Sequence, residues 1–439
     1  MLELTTKMVP PSIVERVDIM RSNIRMGGVP FDYDRMVEYS TYSDVQCHVM
    51  GSKLLKLCNS NQREFTAAAF SKFVKDNNLT VGFNLTSRGN ISLDASSIDS
   101  FLNTNAYSDS INDVVRKFKE WNYYKSQTRM LPEIIQKHPP CGLYSEDGRR
   151  VVLIKPTVHA QNTGRFGLRN PGIMNLPRYM TDLVVAPKGW TIVSADSGQI
   201  EPKLTYGFYL PDKQIQTLIA LYGDAYYALL HYCQMPAEDI RSGKMDFVKA
   251  EITDELKAKR QRLKTYCNGV MYGSTSNKEH DPLKQAFIDR IGRHPLRAEW
   301  IGRLEEEINS GKKIFYTLFG TPIDIYNSKK YLEANSPQEA RKVLSHCVIN
   351  NPIQGSAGDL MAFSLRATNN LFHKKAPNSW ITKFVHDEGQ YCINNDELDY
   401  VLEEVKGHTS YRIDGRVEIY NDPIIGREIY DKVPFSYDV

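Results

Sequence analysis

Two apolar segments that lie far apart in the chain each lead into an acidic residue. The segment WTIVSAD, residues 190–196, is a short apolar run that ends at Asp196, which is typical of a buried strand. The segment ITKFVHDEGQYCIN, residues 381–394, predicts two strands joined by a tight polar turn that carries Asp387. Because paired strands lie side by side, pairing of these segments would bring the two aspartates together. The chain is therefore expected to build a sheet that presents a pair of carboxylates.

Two rigidly held carboxylates suit divalent-metal chemistry. Asp196 and Asp387 could hold two magnesium ions about 4 Å apart, which would clamp the attacking and leaving oxygens of a phosphoryl transfer. Each acid by itself also fits a simpler interpretation, because Asp before Ser-Gly is a common turn former and His-Asp-Glu can form a solvated hairpin tip. The two segments alone leave both interpretations open.

A basic stripe on a predicted helix supplies a third element. Over residues 254–273, Arg260 and Lys264 are four residues apart and share one face, which Asn268 and Tyr272 continue. Two cations followed by a ring could grip a triphosphate and then cover its sugar or base. A solvated basic face with Tyr272 packed beneath it has the same spacing, so the spacing does not separate these hypotheses.

Length and composition narrow the class of protein. A chain of 439 residues, 41% hydrophobic and 24% charged, has the balance of a soluble globular protein with roughly three domains or several lobes. The sequence has no apolar run near the ~18 residues that span a bilayer, and its start lacks a secretory signal pattern. Its seven cysteines include no CxxC pair, which favours a reducing cytoplasm over a disulfide framework.

The distribution of charge says more than its total. The formal net charge is only +3, which does not by itself indicate nucleic-acid binding. Basic residues are concentrated in two segments, residues 148–190 and residues 257–264. Such segments could follow a phosphate backbone, and each alone equally fits ordinary surface charge.

Coarse patterns predict mostly helices with a few short strands. Helical periodicity covers residues 13–37, residues 40–125 with a polar interruption at 84–94, and residues 213–310. Residues 140–190 are rich in loops with short extended pieces, and LFGTPIDIY predicts a β-turn between short strands. The stretch from Ser356 to Asp359 predicts a capping box at the start of a helix that ends near residue 372.

Six segments, in order, resemble the family A DNA polymerases. SADSGQIE (194–201), RQRLKTYCNGVMYG (260–273) and FVHDE (384–388) resemble motifs A, B and C of that family. Three weaker segments fall in the right order around them, namely NTGRFGLRNPGIMNLP (162–177), INNPIQGSAGDL (349–360) and the thumb-like stretch at 65–94. IMRSNIRMGGVPFDYDRM resembles the helix that leads into the thumb, so the resemblance covers nearly the whole chain.

The resemblance implies an α/β (α+β) right-hand polymerase fold with an antiparallel-sheet palm, helical fingers and a helical thumb. The implied domains are an N-terminal palm segment at 1–39, the thumb at 40–122, the palm with motif A at 123–211, the fingers with motif B at 212–340, and the palm with motif C at 341–439.

It also implies roles for individual residues. Asp196 and Asp387 would be the catalytic metal ligands, with the carbonyl of Ser197 completing a site for two Mg²⁺ ions that Mn²⁺ could replace. Glu388 would be an accessory acid near the primer terminus, and Lys264 a candidate proton donor to pyrophosphate.

Two further groups would bind substrates. The dNTP would contact Arg260, Lys264, Asn268, Tyr272, Glu201, Gln199 and Tyr226. Of these, Glu201 and Tyr272 would wall the 2′ side of the sugar. The primer–template DNA would contact Arg165, Asn350, Gln354, His386 and Lys203, where hydrogen bonds in the minor groove test pair geometry without reading sequence.

The sequence departs from the family pattern at several of these positions. Ser197-Gly198 replaces the usual Tyr-Ser, Pro202 follows Glu201, and Asn268 stands where an aromatic ring is usual. Tyr226 and His346 occupy places where histidine and arginine, respectively, are typical. None of these changes removes an expected metal ligand, so they bear on nucleotide affinity, sugar tolerance and fidelity.

The implied function is template-directed DNA synthesis on a primer 3′ end in the cytoplasm, with a phage-infected bacterium as the expected setting. A single-subunit RNA polymerase and a catalytically inactive nucleic-acid-binding remnant stay open as alternatives. The helix expected before the thumb begins near Ser12, which leaves about a dozen residues before it, against the ~50–100 that a domain needs. The chain is therefore expected to lack its own 3′–5′ exonuclease and to work with a separate exonuclease polypeptide and replisome proteins. No membrane association is expected.

Overall fold

The computed structural model describes residues 2–4, 27–86, 89–103, 107–161, 163, 165–169, 183–272, 277, 280–327, 329–334, 336–413, 417–419 and 424–425. The chain divides into two compact units. The first comprises Met1–Val29, Lys155–Asp182 and Gly189–Val439, and the second comprises Pro30–Ile154 and Leu183–Lys188. The domain boundaries inferred from the family resemblance remain predictions.

Short strands build several small sheets. The strands are β1 (Leu2–Leu4), β2 (Val29–Asp32), β3 (Leu143–Tyr144), β4 (Arg150–Ile154), β5 (Thr157–Ala160), β6 (Phe166–Arg169), β7 (Trp190–Asp196), β8 (Ile314–Tyr316), β9 (Pro322–Asp324), β10 (Trp380–Val385), β11 (Glu388–Asn394), β12 (Tyr411–Ile413), β13 (Val417–Ile419) and β14 (Ile424–Ile425). The sheet orders are β1-β12-β13, β10-β11-β7-β14, β2-β4-β3, β5-β6 and β8-β9.

Helices supply most of the regular structure. They are α1 (Tyr33–Leu57), α2 (Ala67–Asp76), α3 (Ala95–Asn103), α4 (Asp109–Lys137), α5 (Ile200–Leu204), α6 (Lys213–Tyr222), α7 (Ala225–Gln234), α8 (Ala237–Ser242), α9 (Asp254–Met271), α10 (Pro282–Phe287), α11 (Pro295–Asn309), α12 (Lys329–Leu332), α13 (Pro337–Lys374) and α14 (Leu398–Thr409). Short π-helical turns, Thr205–Tyr209 and Ile288–Gly292, follow α5 and α10. Among the described helices, none combines the length and apolar character needed to cross a membrane.

Local sequence explains where the main helices of the first unit begin. The hydroxyl of Thr253 accepts from the backbone N–H of Leu256 at 3.2 Å, which caps the start of α9. The hydroxyl of Ser336 accepts from the N–H of Glu339 at 3.1 Å and caps α13 in the same way. These side-chain oxygens satisfy backbone donors that the first helical turn leaves free.

The sheet β10-β11-β7-β14 is antiparallel throughout its pairings. Its interior strands bury Val193 and Tyr391, which have no solvent exposure, while β7 ends at the exposed Asp196. The helices α13 and α14 pack against this sheet. The predicted strand at 190–196 and the predicted hairpin around Asp387 are both present, and the mixed helix and sheet class is confirmed.

Each unit has its own hydrophobic core. In the second unit the rings of Phe70 and Phe118 stack with centroids 3.7 Å apart, and Trp121 packs beside them. In the first unit a separate cluster of buried residues, including Leu229 and Leu263, joins helices α6 to α11. Helix α9, which carries the basic stripe, is therefore held in place by apolar packing through residues such as Leu263.

The predicted capping box from Ser356 to Asp359 is wrong. Helix α13 already begins at Pro337, so Ser356 lies in its interior. The hydroxyl of Ser356 donates to the carbonyl of Pro352 at 2.7 Å, and Asp359 accepts hydrogen bonds from a neighbouring hairpin rather than from a helix N-terminus. Pro352 lacks a backbone N–H and usually interrupts helices, which explains why the sequence favoured a helix start after it.

The predicted helix at 13–37 falls mostly on residues 5–26, outside the described part of the chain. At its described end, Val29–Asp32 forms the strand β2 and α1 begins only at Tyr33. The carboxylate of Asp32 accepts from the N–H of Arg35 at 2.8 Å and caps α1. The strand preceding this cap was not anticipated.

Candidate active site

The two aspartates lie at neighbouring strand ends. In the antiparallel pairing of β11 with β7, Glu388 lies opposite Asp196, and the N–H of Ser197 donates to the carbonyl of Asp387 at 3.0 Å. The turn between β10 and β11 consists of His386 and Asp387, and His386 adopts a left-handed φ of 55°. This short turn holds Asp387 beside the end of β7, so the structure brings the two carboxylates together.

The carboxylates repel one another electrostatically. Burial raises the pKa of Asp387 to about 7, and the nearby Asp196 adds to this increase while Arg165 opposes it. The side chain of Asp196 reaches the open cleft, yet the protein atoms around it and Glu388 raise its pKa, against the effect of Lys264. A nearby divalent cation would stabilise the ionised form of both carboxylates.

Donor chemistry at this position fits such a cation. Asp196 and Asp387 offer the carboxylate oxygens that Mg²⁺ prefers. Within the described residues, no group of three or more His, Cys, Asp or Glu side chains could hold a metal ion. An ion bound between the aspartates would thus complete its coordination with backbone carbonyl, water or substrate oxygens.

The side chain of Glu388 is held by hydrogen bonds on one face of the sheet. Its carboxylate accepts hydrogen bonds from the hydroxyl of Ser194 and, at 2.6 Å, from the amide of Gln390. Both donors lie two residues along their strands from the Asp196–Glu388 pair, on the same face of the sheet. Glu388 is therefore held back from the cleft by its neighbours and shapes the environment of Asp196.

A cleft of about 630 Å³ opens in front of the aspartates. Helix α9 contributes the cationic side, and the polar face of β7, α5 and the His386 turn contributes the other. Its lining residues are Gln161, Arg165, Asp196, Gly198, Gln199, Ile200, Glu201, Pro202, Tyr226, Arg260, Lys264, Asn268, Gln354, His386 and Asp387. One cleft thus combines both carboxylates with the predicted triphosphate-binding stripe.

Glu201 connects three side chains of the site. Its carboxylate accepts hydrogen bonds from the guanidinium of Arg165 and from the hydroxyl of Tyr272, and Asn268 approaches it at 3.4 Å. Burial, followed by the charge of Glu201, raises the pKa of Tyr272, so this hydroxyl remains a donor. The contact between Glu201 and Tyr272 that the sequence predicted is present.

Comparison with known proteins identifies the family. The model of "DNA polymerase family A" matches residues 72–428, which is most of the chain. The chain belongs to DNA polymerase family A. The match contains β7, α9 and the β10-β11 hairpin, so the segments that build the cleft are those that carry the family pattern.

The chain is also similar to curated family A polymerases. It is 25% identical to DNA polymerase I of Pseudomonas aeruginosa over 263 residues, which cover 56% of this chain and 26% of that protein. It is 27% identical to the thermostable DNA polymerase I of Thermus aquaticus over 263 residues, which cover 55% of this chain and 28% of that protein. The chain therefore spans about a quarter of the length of these relatives.

A solved structure supports the fold. The POL domain of Pol1 from M. smegmatis, in complex with DNA primer-template and dNTP, superposes with a TM-score of 0.69 at 17% identity. The superposition covers 94% of this chain and 69% of that one. The family A polymerase fold therefore extends over nearly the whole chain.

Several residues that the family pattern marks lie away from the open cleft. Lys203 is buried with 6% exposure, and Ser197 is buried with its hydroxyl donating to the carbonyl of Thr409 at 3.1 Å. Asn350 is half-buried, and within the described residues its side-chain oxygen accepts no hydrogen bond. Their proposed contacts with DNA and metal remain predictions.

Two residues at the cleft were not anticipated from the sequence. Gln161 lines the cleft, and Asp224 receives two hydrogen bonds from Arg260 behind it. Asp224 follows a glycine at the start of a helix, so a capping role was readable from the sequence. Its ion pair was not, because Arg260 is 36 residues away in the chain.

Proposed function

We propose that this chain is a template-directed DNA polymerase that adds dNTPs to a primer 3′ end by two-metal phosphoryl transfer. The observation that carries the proposal is the placement of Asp196 and Asp387 side by side in one cleft with Arg260 and Lys264. Membership in DNA polymerase family A supports the same reaction. The M. smegmatis structure contains primer-template DNA and a dNTP, which supports the same substrates for this chain.

The two sides of the site have different proposed roles, metal binding on one side and triphosphate binding on the other. Asp196, Asp387 and the carbonyl of Ser197 would hold Mg²⁺, which supplies Lewis-acid stabilisation of phosphate oxygens. The cationic side chains of α9, Arg260 and Lys264, bind and orient the triphosphate and offset its negative charge. Lys264 faces the open cleft and is the proposed proton donor to the departing pyrophosphate.

The opposite side of the cleft is proposed to bind the primer–template pair. Arg165 donates to the carbonyl of Gln354 at 3.2 Å and binds Glu201, so its guanidinium is held in one orientation. The side chain of His386 is exposed in the turn beside Asp387. The protein atoms around the imidazole partly desolvate it, and this desolvation together with the charge of Arg165 lowers its pKa. A neutral imidazole at this position can both donate and accept hydrogen bonds to bases.

Primer extension by metal-ligand variants tests the proposal. Asp196→Asn or Asp387→Asn should abolish extension of a primer on a defined template while leaving primer–template affinity largely intact, because backbone contacts dominate DNA binding. Wild type should use dNTPs in preference to rNTPs. Retention of a tenth of wild-type extension by either variant would be incompatible with the two-metal assignment.

The proposal includes no mismatch excision by the 439-residue chain itself. Incubation of the chain with a 3′-labelled mismatched primer, magnesium and no dNTP tests this point. Loss of the terminal nucleotide that persists in the Asp387→Asn variant would reveal a second active site.

A further inference from the structure

Asp224 is a hub for hydrogen bonds behind the cleft. One carboxylate oxygen, Oδ1, accepts from the N–H groups of Tyr226 and Tyr227 at 2.9 and 3.0 Å and so caps α7. The other oxygen, Oδ2, accepts from Nε and Nη2 of Arg260 at 2.9 and 2.6 Å and from the amide of Gln199 at 2.5 Å. The same carboxylate therefore fixes two side chains that line the cleft.

The partners of Asp224 are themselves held on other sides. The side-chain oxygen of Gln199 accepts from the N–H of Ala225 at 2.5 Å, so Gln199 spans the start of α7 with both ends bound. The guanidinium of Arg260 lies over the rings of Tyr226 and Tyr227, 5.2 and 5.4 Å from their centroids. Arg260 consequently has one well-defined orientation before any ligand binds.

A fixed guanidinium is an efficient anion receptor. Arg260 has five N–H donors, of which Asp224 engages one on Nε and one on Nη2, so others remain for phosphate oxygens. A long side chain that is already ordered loses less conformational entropy when it binds. The charge of Asp224 is offset by Arg260 and by the N-terminus of α7, which reduces its repulsion of a triphosphate.

We propose that Asp224 is a positioning residue for the triphosphate of the incoming nucleotide, acting through Arg260 and Gln199. The inference rests on the proposed polymerase function and extends it to a residue outside the cleft lining. Asp224 does not touch the substrate. Asp224 sets the orientation of Arg260 and Gln199, the two side chains proposed to bind the substrate.

Two substitutions separate this role from simple helix capping. Asp224→Asn and Asp224→Ser both keep an oxygen that can cap α7 but remove the carboxylate that binds Arg260. Each should raise the KM for dNTP about tenfold, which corresponds to the loss of one charge-assisted hydrogen bond, with kcat within about twofold of wild type. Primer–template affinity should not change.

Asp281 provides a matched control. It caps α10 through the N–H of Leu283 at 2.9 Å and forms an ion pair with Arg262 of α9 at 2.8 Å. Arg262 does not belong to the cleft lining, and its side chain is 58% exposed. Asp281→Asn thus keeps an oxygen that can cap α10, removes an ion pair with the same helix α9, and should leave the KM for dNTP unchanged.

A double-mutant cycle shows whether Asp224 acts through Arg260. In an Arg260→Ala background, Asp224→Asn should raise the KM for dNTP by less than about twofold, because the group it positions is gone. An unchanged or lower KM in both Asp224 single variants, an equal increase in Asp281→Asn, or a full additional increase in the Arg260→Ala background would each overturn the inference.

Direct titration separates this inference from the proposed function. With a primer that ends in a dideoxynucleotide, dNTP binding is measured without turnover. A wild type that binds dNTP but does not extend a primer with a free 3′-hydroxyl would refute the polymerase proposal. Weaker dNTP binding by Asp224→Asn would still support the positioning role. Equal dNTP affinity of wild type and Asp224→Asn would refute the positioning role alone.

Discussion

At Asp387 the needs of stability and function conflict, because the ionised carboxylate proposed to bind metal destabilises the metal-free fold. Its pKa is raised by burial and by Asp196 to about 7, above the ordinary value of 3.8. Between pH 4 and pH 7 the folded chain therefore binds more protons at this group than the unfolded chain does. The free energy of unfolding should accordingly fall as pH rises through this window in metal-free buffer, and the full cost is present above pH 7.

Asp387→Asn removes this cost. In EDTA at pH 8 the variant should be more stable than wild type by roughly 2–4 kcal/mol, and the difference should shrink at pH 5. Chemical denaturation at both pH values measures it, and addition of Mg²⁺ should narrow the gap by stabilising the wild type. A variant less stable than wild type at pH 8 without metal would contradict the assigned electrostatics.

Glu201 offers a second prediction at the residue scale. Glu201→Ala removes the acceptor shared by Arg165, Tyr272 and Asn268, and it opens space on the proposed 2′ side of the sugar. The ratio of rNTP to dNTP incorporation efficiency should rise by roughly tenfold or more. Glu201→Gln keeps the volume of the side chain and should raise the ratio less, and single-nucleotide extension kinetics measure both. An unchanged ratio in Glu201→Ala would place the sugar barrier elsewhere.

The site residues that the sequence predicted share one property. Asp196, Arg260 and Asp387 lie in contiguous segments whose spacing and order carry the family pattern, so each could be found without knowledge of its spatial neighbours. Asp224 could not, because its role depends on a side chain brought near by folding. Sequence reasoning identified the residues that are proposed to do the chemistry and missed Asp224, which is proposed to orient one of them.

At the scale of elements, the contact between α13 and the β8-β9 hairpin shows the limits of local patterns. The buried carboxylate of Asp359 accepts from the hydroxyls of Thr317 and Thr321 at 2.5 and 2.9 Å, and the hydroxyl of Ser356 accepts from the N–H of Leu318 at 2.8 Å. The sequence predicted the hairpin and a helix correctly. It misplaced the start of the helix, since these polar residues serve a tertiary contact that resembles a cap only in its spacing.

Gly355 allows α13 to approach this hairpin. A Cβ at this position would lie 2.7 Å from Cγ2 of Thr317 and 2.8 Å from both Cδ1 of Ile323 and the carbonyl oxygen of Thr163. Gly355→Ala should therefore destabilise the chain by about 1–3 kcal/mol, although alanine favours helices.

Gly302 in α11 is the matched control, because a Cβ there would have no neighbour within 4 Å. Gly302→Ala should stabilise the chain by about 0.5–1 kcal/mol through helix propensity alone. Urea denaturation of both variants provides the comparison. Similar effects of the two substitutions would show that the close approach at Gly355 does not constrain the helix.

At the scale of the whole molecule, the chain combines a net charge near zero with separate apolar clusters in its two units. With a net charge of only +3, the proposed DNA affinity would come from local basic segments, such as residues 257–264 on α9, rather than from total charge. The sequence predicted several lobes from length alone, but it could not predict that the second unit is built from Pro30–Ile154 together with the distant Leu183–Lys188. Such discontinuous assembly depends on long-range contacts that leave no local pattern.

The two cores should unfold as distinguishable transitions, because each unit buries its own apolar cluster. Phe118→Ala removes a fully buried ring that stacks on Phe70 and should cost the second unit about 3–5 kcal/mol. Leu229→Ala removes a fully buried side chain of the first unit and should cost that unit about 2–5 kcal/mol. In differential scanning calorimetry, each variant should lower the midpoint of a different transition and leave the other in place. One transition that both variants lower equally would mean that the two cores fold and unfold as a single cooperative structure.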